Sequence, residues 1–175
     1  MNNNKISTSI QYQMSNIVLF NEVYGNWINF NDRIKKGPEE MKQYLLEMWN
    51  KIKLSLKDRN DIIVKDKEKE VNINDFNVTY NRTKNGTSIF FLTLPDYEYQ
   101  DAASKYVAVA LTPMIPRFFT LEYSKSVVDG NTCWYVGEFV IDNNQKKHCN
   151  FGKSDNMRLS WFAGYIVGLL ESENL

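Results

Sequence analysis

The spacing of apolar residues changes near Val71, and that change constrains the fold more than any other feature of the chain. Before it, Met41, Tyr44, Leu45, Met48, Ile52 and Leu56 recur at intervals of three and four and form one stripe of a helix. After it the interval is two. Phe76, Val78 and Tyr80 alternate with polar residues, as the two sides of a strand require. Further strands are predicted over Ile89-Phe90-Phe91-Leu92, over residues 106–111, over residues 117–123, over residues 132–141, and through His148 and Phe151. The stretch 106–111 is nearly all Val and Ala, which predicts a strand covered on both faces. Asn85-Gly86, Asp129-Gly130 and Asp142-Asn143-Asn144 supply turns between these runs. Short connections make neighbouring strands antiparallel, so the expected sheet is a meander of about five or six strands.

Helices flank this sheet in the sequence. Gly37-Pro38-Glu39-Glu40 puts a proline near a helix start, with two acids at its positive end. Lys51, Lys53 and Lys57 lie toward the other end, and the predicted helix runs over residues 38–57. Residues 1–12 are polar and predicted to be flexible. Residues 13–30 read as helix, although Ile17-Val18-Leu19-Phe20 would also suit a short strand. A last helix carries Leu159, Phe162, Ile166, Val167 and Leu170 on one side, with Ser154 or Asp155 as its expected cap. Alternating charges at residues 65–70 read as a solvated connector. The expected architecture is a single α+β domain over residues 1–175, with N-terminal and C-terminal helices on one face of an antiparallel sheet.

Charge and composition narrow the function classes. Lys and Arg number 21, as do Asp and Glu. Nucleic-acid binding draws its affinity from cations on phosphates, and no basic excess or stripe is present. The chain starts without a basic-then-apolar leader, and its longest apolar run, residues 161–170, is half of what a spanning helix needs. A cytoplasmic protein with no membrane span and no nucleic-acid partner is expected. Asn77, Asn81 and Asn85 each open an Asn-x-Thr triplet, read here as a by-product of an Asn-rich composition. No glycine-rich phosphate loop, nucleophile elbow or paired zinc-ligand motif occurs, so no cofactor and no metal are expected. Cys133 and Cys149 fall in predicted strands, where buried inert thiols are the expectation.

Two groups of residues could carry function. Glu122 and Glu138 lie on neighbouring predicted strands, with His148 on the next. A carboxylate among Trp134, Val136 and Val140 would hold its proton more tightly, which suits a general acid, and an imidazole could act as the base. The second group is Asp96, Tyr97, Glu98, Tyr99 and Asp101, an acidic aromatic segment after Pro95. Tyrosines supply contact area at low entropic cost, and acids steer a basic partner. The sequence favours a non-enzymatic interaction protein, with the profile of immunity, antitoxin-like or chaperone-like binding proteins, whose partner is another protein. The alternative is a small enzyme or ligand-binding domain using Glu122, Glu138 and His148.

Overall fold

The structure is a computed structural model and describes residues 8–57, 70–93, 104–125, 132–142, 144–150 and 158–175. Three helices come first: α1 (Thr8–Gly25), α2 (Trp27–Ile34) and α3 (Pro38–Lys57). A 3-10 turn at Ile73–Asp75 leads into six strands: β1 (Asn77–Arg82), β2 (Ser88–Thr93), β3 (Ser104–Leu111), β4 (Pro116–Lys125), β5 (Thr132–Phe139) and β6 (Gln145–Asn150). Helix α4 (Leu159–Ser172) follows. The strands pair in chain order, each antiparallel to the next, so the predicted α+β meander is present. The acidic aromatic segment 96–101, Pro95, the Asp129-Gly130 turn and Phe151 lie outside the described residues.

The helices do not share one face of the sheet, contrary to the sequence expectation. Phe90, Leu92, Val107, Val109, Phe118 and Phe139 pack against α1, α2 and α3. Ile89, Phe91, Ala108, Ala110, Phe119, Leu121, Trp134 and Val136 pack on the other side against Phe162, Ala163, Ile166 and Leu170 of α4. The reason is written in β2, where Ile89, Phe90, Phe91 and Leu92 are all buried in succession. Consecutive strand residues point to opposite faces, so such a run makes both faces apolar, and each needs its own cover. Ala108 and Ala110 leave room on the second face, and Phe162 packs there edge-on against Phe91, with ring centres 5.7 Å apart. On the first face Phe20 of α1 meets Phe118 at 5.9 Å and Phe139 at 5.5 Å, and those two meet each other at 5.4 Å.

Local signals fix the element ends. Gly37 has φ +118°, a conformation open to glycine, and its carbonyl accepts from the Met41 amide to start α3. The β1–β2 turn is a three-residue loop: Thr83 donates to the Thr87 carbonyl, its own carbonyl accepts from Gly86, and Gly86 takes φ +88°. Helix α4 starts later than its expected cap, with Arg158 at the N-cap position rather than Ser154 or Asp155. It ends in a Schellman turn. Asn174 adopts φ 62°, Leu175 donates back to the Leu170 carbonyl at 2.9 Å, and Asn174 donates to Glu171 at 3.0 Å. No helix among the described residues is long and apolar enough to cross a membrane.

Candidate functional site

Hairpin alternation decides which of the proposed catalytic residues can meet. In the β4–β5 register Glu138 stands opposite Phe119, and Glu122 stands opposite Tyr135. Directly opposed residues share a face, and positions an odd number apart on one strand do not. Phe119 belongs to the α4 side, whereas Glu122 alternates with Phe118 on the α1–α3 side. Glu122 and Glu138 therefore lie on opposite faces of the sheet, and the expected Glu122–Glu138–His148 cluster does not assemble. Glu122 is 4% exposed within its own side of the molecule.

Glu138 and His148 do converge. The β5–β6 register shifts by one between Val136 and Gly137, leaving His148 as the extra residue of a bulge. His148 Nε2 lies 3.0 Å from Glu138 Oε2, with the imidazole 6.0 Å from the Phe119 ring. The group that organises the site is Arg117, which the sequence reading missed. Arg117 Nε donates to Glu138 Oε1 at 2.6 Å, Nη2 donates to Oε2 at 3.1 Å, and Nη1 donates to Glu173 just past α4. Its guanidinium also lies over the Phe119 ring at 5.1 Å. Arg117 is two residues before Phe119 and shares its face, so the same alternation that selected Glu138 would have found it.

These contacts explain the electrostatics. Burial works against the charge on Arg117, but its hydrogen bonds to Glu138 and Glu173 outweigh that cost and raise its pKa above the ordinary value. Tyr24, at the end of α1, is raised chiefly by burial and also by the Glu138 charge, with Arg117 acting in the opposite sense.

Arg117 and Glu138 form the polar floor of an open cleft of about 880 Å³ at the end of the sheet where the β3–β4 and β5–β6 turns lie. Met114, Ile115 and Ile141 from the turns edge it, with Tyr24 and Leu175 completing the wall. The β3–β4 turn is braced by a hydrogen bond from the Thr112 hydroxyl to the Ile115 carbonyl. The β5–β6 turn is braced by Asp142, which accepts from the backbone and side chain of Asn144 at 3.2 and 2.6 Å. Met114 is 83% exposed, Ile141 74% and Ile115 40%. No sequence periodicity could have marked these three, because a turn has none.

Cys133, expected to be a buried thiol, is buried in β5 beside Trp134, and on α4 Trp161 stacks on Tyr165 at 5.9 Å. Among the described residues no group of three or more His, Cys, Asp or Glu side chains is arranged to hold a metal ion. Comparison with protein-family models, with curated proteins and with solved structures gave no match.

Proposed function

We propose that this chain is a non-enzymatic, cytoplasmic protein-interaction module that holds an apolar segment of a partner protein in the cleft between the two hairpin turns. One observation carries this reading: Met114, Ile115 and Ile141 stand exposed around a single concave surface. Apolar side chains grouped around a groove gain free energy when a partner covers them, and the charged groups that line the same groove, Arg117, Glu138, Asp142 and Lys146, set the partner's orientation. The floor favours binding over chemistry. Both oxygens of Glu138 are engaged by Arg117, and one also by His148, so the carboxylate serves the architecture of the site. Immunity, antitoxin-like and chaperone-like proteins share the profile of one compact domain without a cofactor motif, and the reading extends to them by that analogy of profile alone.

The test is photo-crosslinking in the host cell from a reactive amino acid placed at Ile141, with Leu54 of α3 as an equally apolar, exposed control position. A discrete protein adduct from position 141, not seen from position 54 and lost on adding Met114→Asp, is the expected result. Adducts no stronger from 141 than from 54 would overturn the reading.

A further inference from the structure

Among the described residues strand β1 is an edge of the sheet, paired on one side with β2, and five of its six residues are exposed. Its pairing with β2 is in register over all six residues, without a bulge, and the strand holds no proline and no lysine. Bulges, prolines and lysines are among the devices by which natural edges avoid further pairing, and β1 has none of these three.

The hydrogen-bond parity of the β1–β2 hairpin defines what this edge offers. The Thr83 amide points inward, donating to Thr87 of the opposing arm. Backbone groups alternate direction along a strand, so Asn81, Thr79 and Asn77 also point toward β2, while Arg82, Tyr80 and Val78 present their N–H and C=O groups outward. These three positions are symmetric about Tyr80. From this geometry we infer that β1 pairs with β1 of a second copy of the chain, antiparallel about a two-fold axis at Tyr80.

That register uses every outward group. Tyr80 faces Tyr80 of the second copy, and Val78 faces the second copy's Arg82 on each side, giving three pairs with two backbone bonds in each, about six in all. A two-fold axis normal to the sheet allows a residue to meet its own copy, or a residue an even number away, because directly opposed residues must share a face. Centring on Arg82 would bring two like charges together, and centring on Val78 would leave Arg82 unpaired. Centring on Thr79 or Asn81, which parity also allows, would set Arg82 or Val78 against a residue outside the strand, so Tyr80 is the centre that pairs all three outward residues.

The side chain at the axis is already in place. Tyr80 is 41% exposed, yet its ring packs against Phe90 at 5.2 Å and its hydroxyl is 2.9 Å from Ser88 Oγ. An exposed ring held by its own sheet loses little freedom on association. Beside it lies a hollow of about 310 Å³ lined by Ile34, Gly37, Pro38 and Phe90, which the paired tyrosines would cap. One six-residue strand per copy is a small contact, so the dimer is weak and forms with a micromolar dissociation constant.

Directly opposed, hydrogen-bonded residues have Cα atoms about 5.5 Å apart, within the span of a disulfide. Tyr80→Cys should therefore give a disulfide-linked dimer of the full chain under mild oxidation. Asn81→Cys should not, because its copy lies two residues further along, beyond the roughly 7 Å limit. Sedimentation velocity of the unaltered chain should show a monomer–dimer equilibrium between micromolar and several hundred micromolar protein. A chain monomeric throughout that range, or crosslinking from Asn81→Cys as efficient as from Tyr80→Cys, would overturn the pairing. Capture of a different protein through Tyr80→Cys, with no linked homodimer, would also overturn it.

Discussion

Arg117 holds Glu138 by two hydrogen bonds, 2.6 and 3.1 Å long, across the β4–β5 hairpin, and through Glu173 ties the sheet to the end of α4. The guanidinium thus joins three segments far apart in sequence and forms the floor of the cleft. Glu138 is 12% exposed, so removing its cation leaves a poorly solvated carboxylate. Arg117→Met should destabilise the fold by about 2–4 kcal/mol, and adding Glu138→Gln should restore part of that loss. Urea unfolding of the two single variants and the double variant measures the coupling. Strictly additive effects would show that the pair contributes only as separate side chains.

The Tyr44 hydroxyl is buried and finds no hydrogen-bond partner among the described residues, while its ring meets Phe30 edge-on at 5.0 Å. Burial also raises its pKa well above the ordinary phenol value. Removing an unpaired buried polar atom and keeping the ring should stabilise the protein. Tyr44→Phe is expected to gain about 0.5–1.5 kcal/mol, read as a rise in the urea midpoint with an unchanged slope. A loss of stability would mean that the hydroxyl is satisfied.

Arg33 donates to both oxygens of Glu47, at 2.6 and 2.8 Å, and to Glu40 at 3.2 Å. The Arg33 hydrogen bond holds the Glu47 carboxyl below its usual pKa. A carboxylate depressed in the folded state adds stability that is full above its unfolded pKa and is lost as pH falls through the folded value. The advantage of the parent over Glu47→Gln should therefore be present at pH 7 and fade as pH falls below the ordinary carboxylate value of about 4.5. Glu47 is half exposed, so the difference at pH 7 is expected to be about 0.5–1 kcal/mol. Thermal unfolding of both proteins from pH 7 to pH 3 tests this, and a constant gap across that range would exclude the assignment.

Gly37 and Gly86 take positive φ with open space where a Cβ would sit. The cost of Gly37→Ala or Gly86→Ala is therefore backbone strain alone, about 1 kcal/mol each, and the two should add because the sites are independent. By contrast Phe118→Ala removes a ring with no exposure from the centre of the first core and should cost about 3–5 kcal/mol. Chemical denaturation that ranked the glycine variants as the more damaging would contradict this account of the core.

The strands and α3 were legible because their information is local. The stripe from Met41 to Leu56 predicted the helix that occupies Pro38–Lys57, and alternating or continuous apolar runs bounded by turn residues predicted the six strands. The placement of α4 was less legible, although the unbroken apolar run Ile89–Leu92 carried the needed signal that both faces require cover. The site was legible in part. Alternation put Glu138 toward Trp134 and Val136, and His148 does meet it. Glu122 falls outside the site because neighbouring strands bring residues close without deciding their face, and register parity sends it to the other one.

Periodicity, turn residues and charge spacing thus determined by themselves α3, the last helix and the strands of the meander, because those preferences act between residues a few positions apart, whereas the start of α1 at Thr8 and its break before α2 were not read from them. Only the tertiary structure decided that α4 closes the second face, that Arg117 draws Glu138 and Glu173 together, and that Met114, Ile115 and Ile141 share one cleft. Each of these depends on register and packing between residues distant in the chain, which no local pattern encodes.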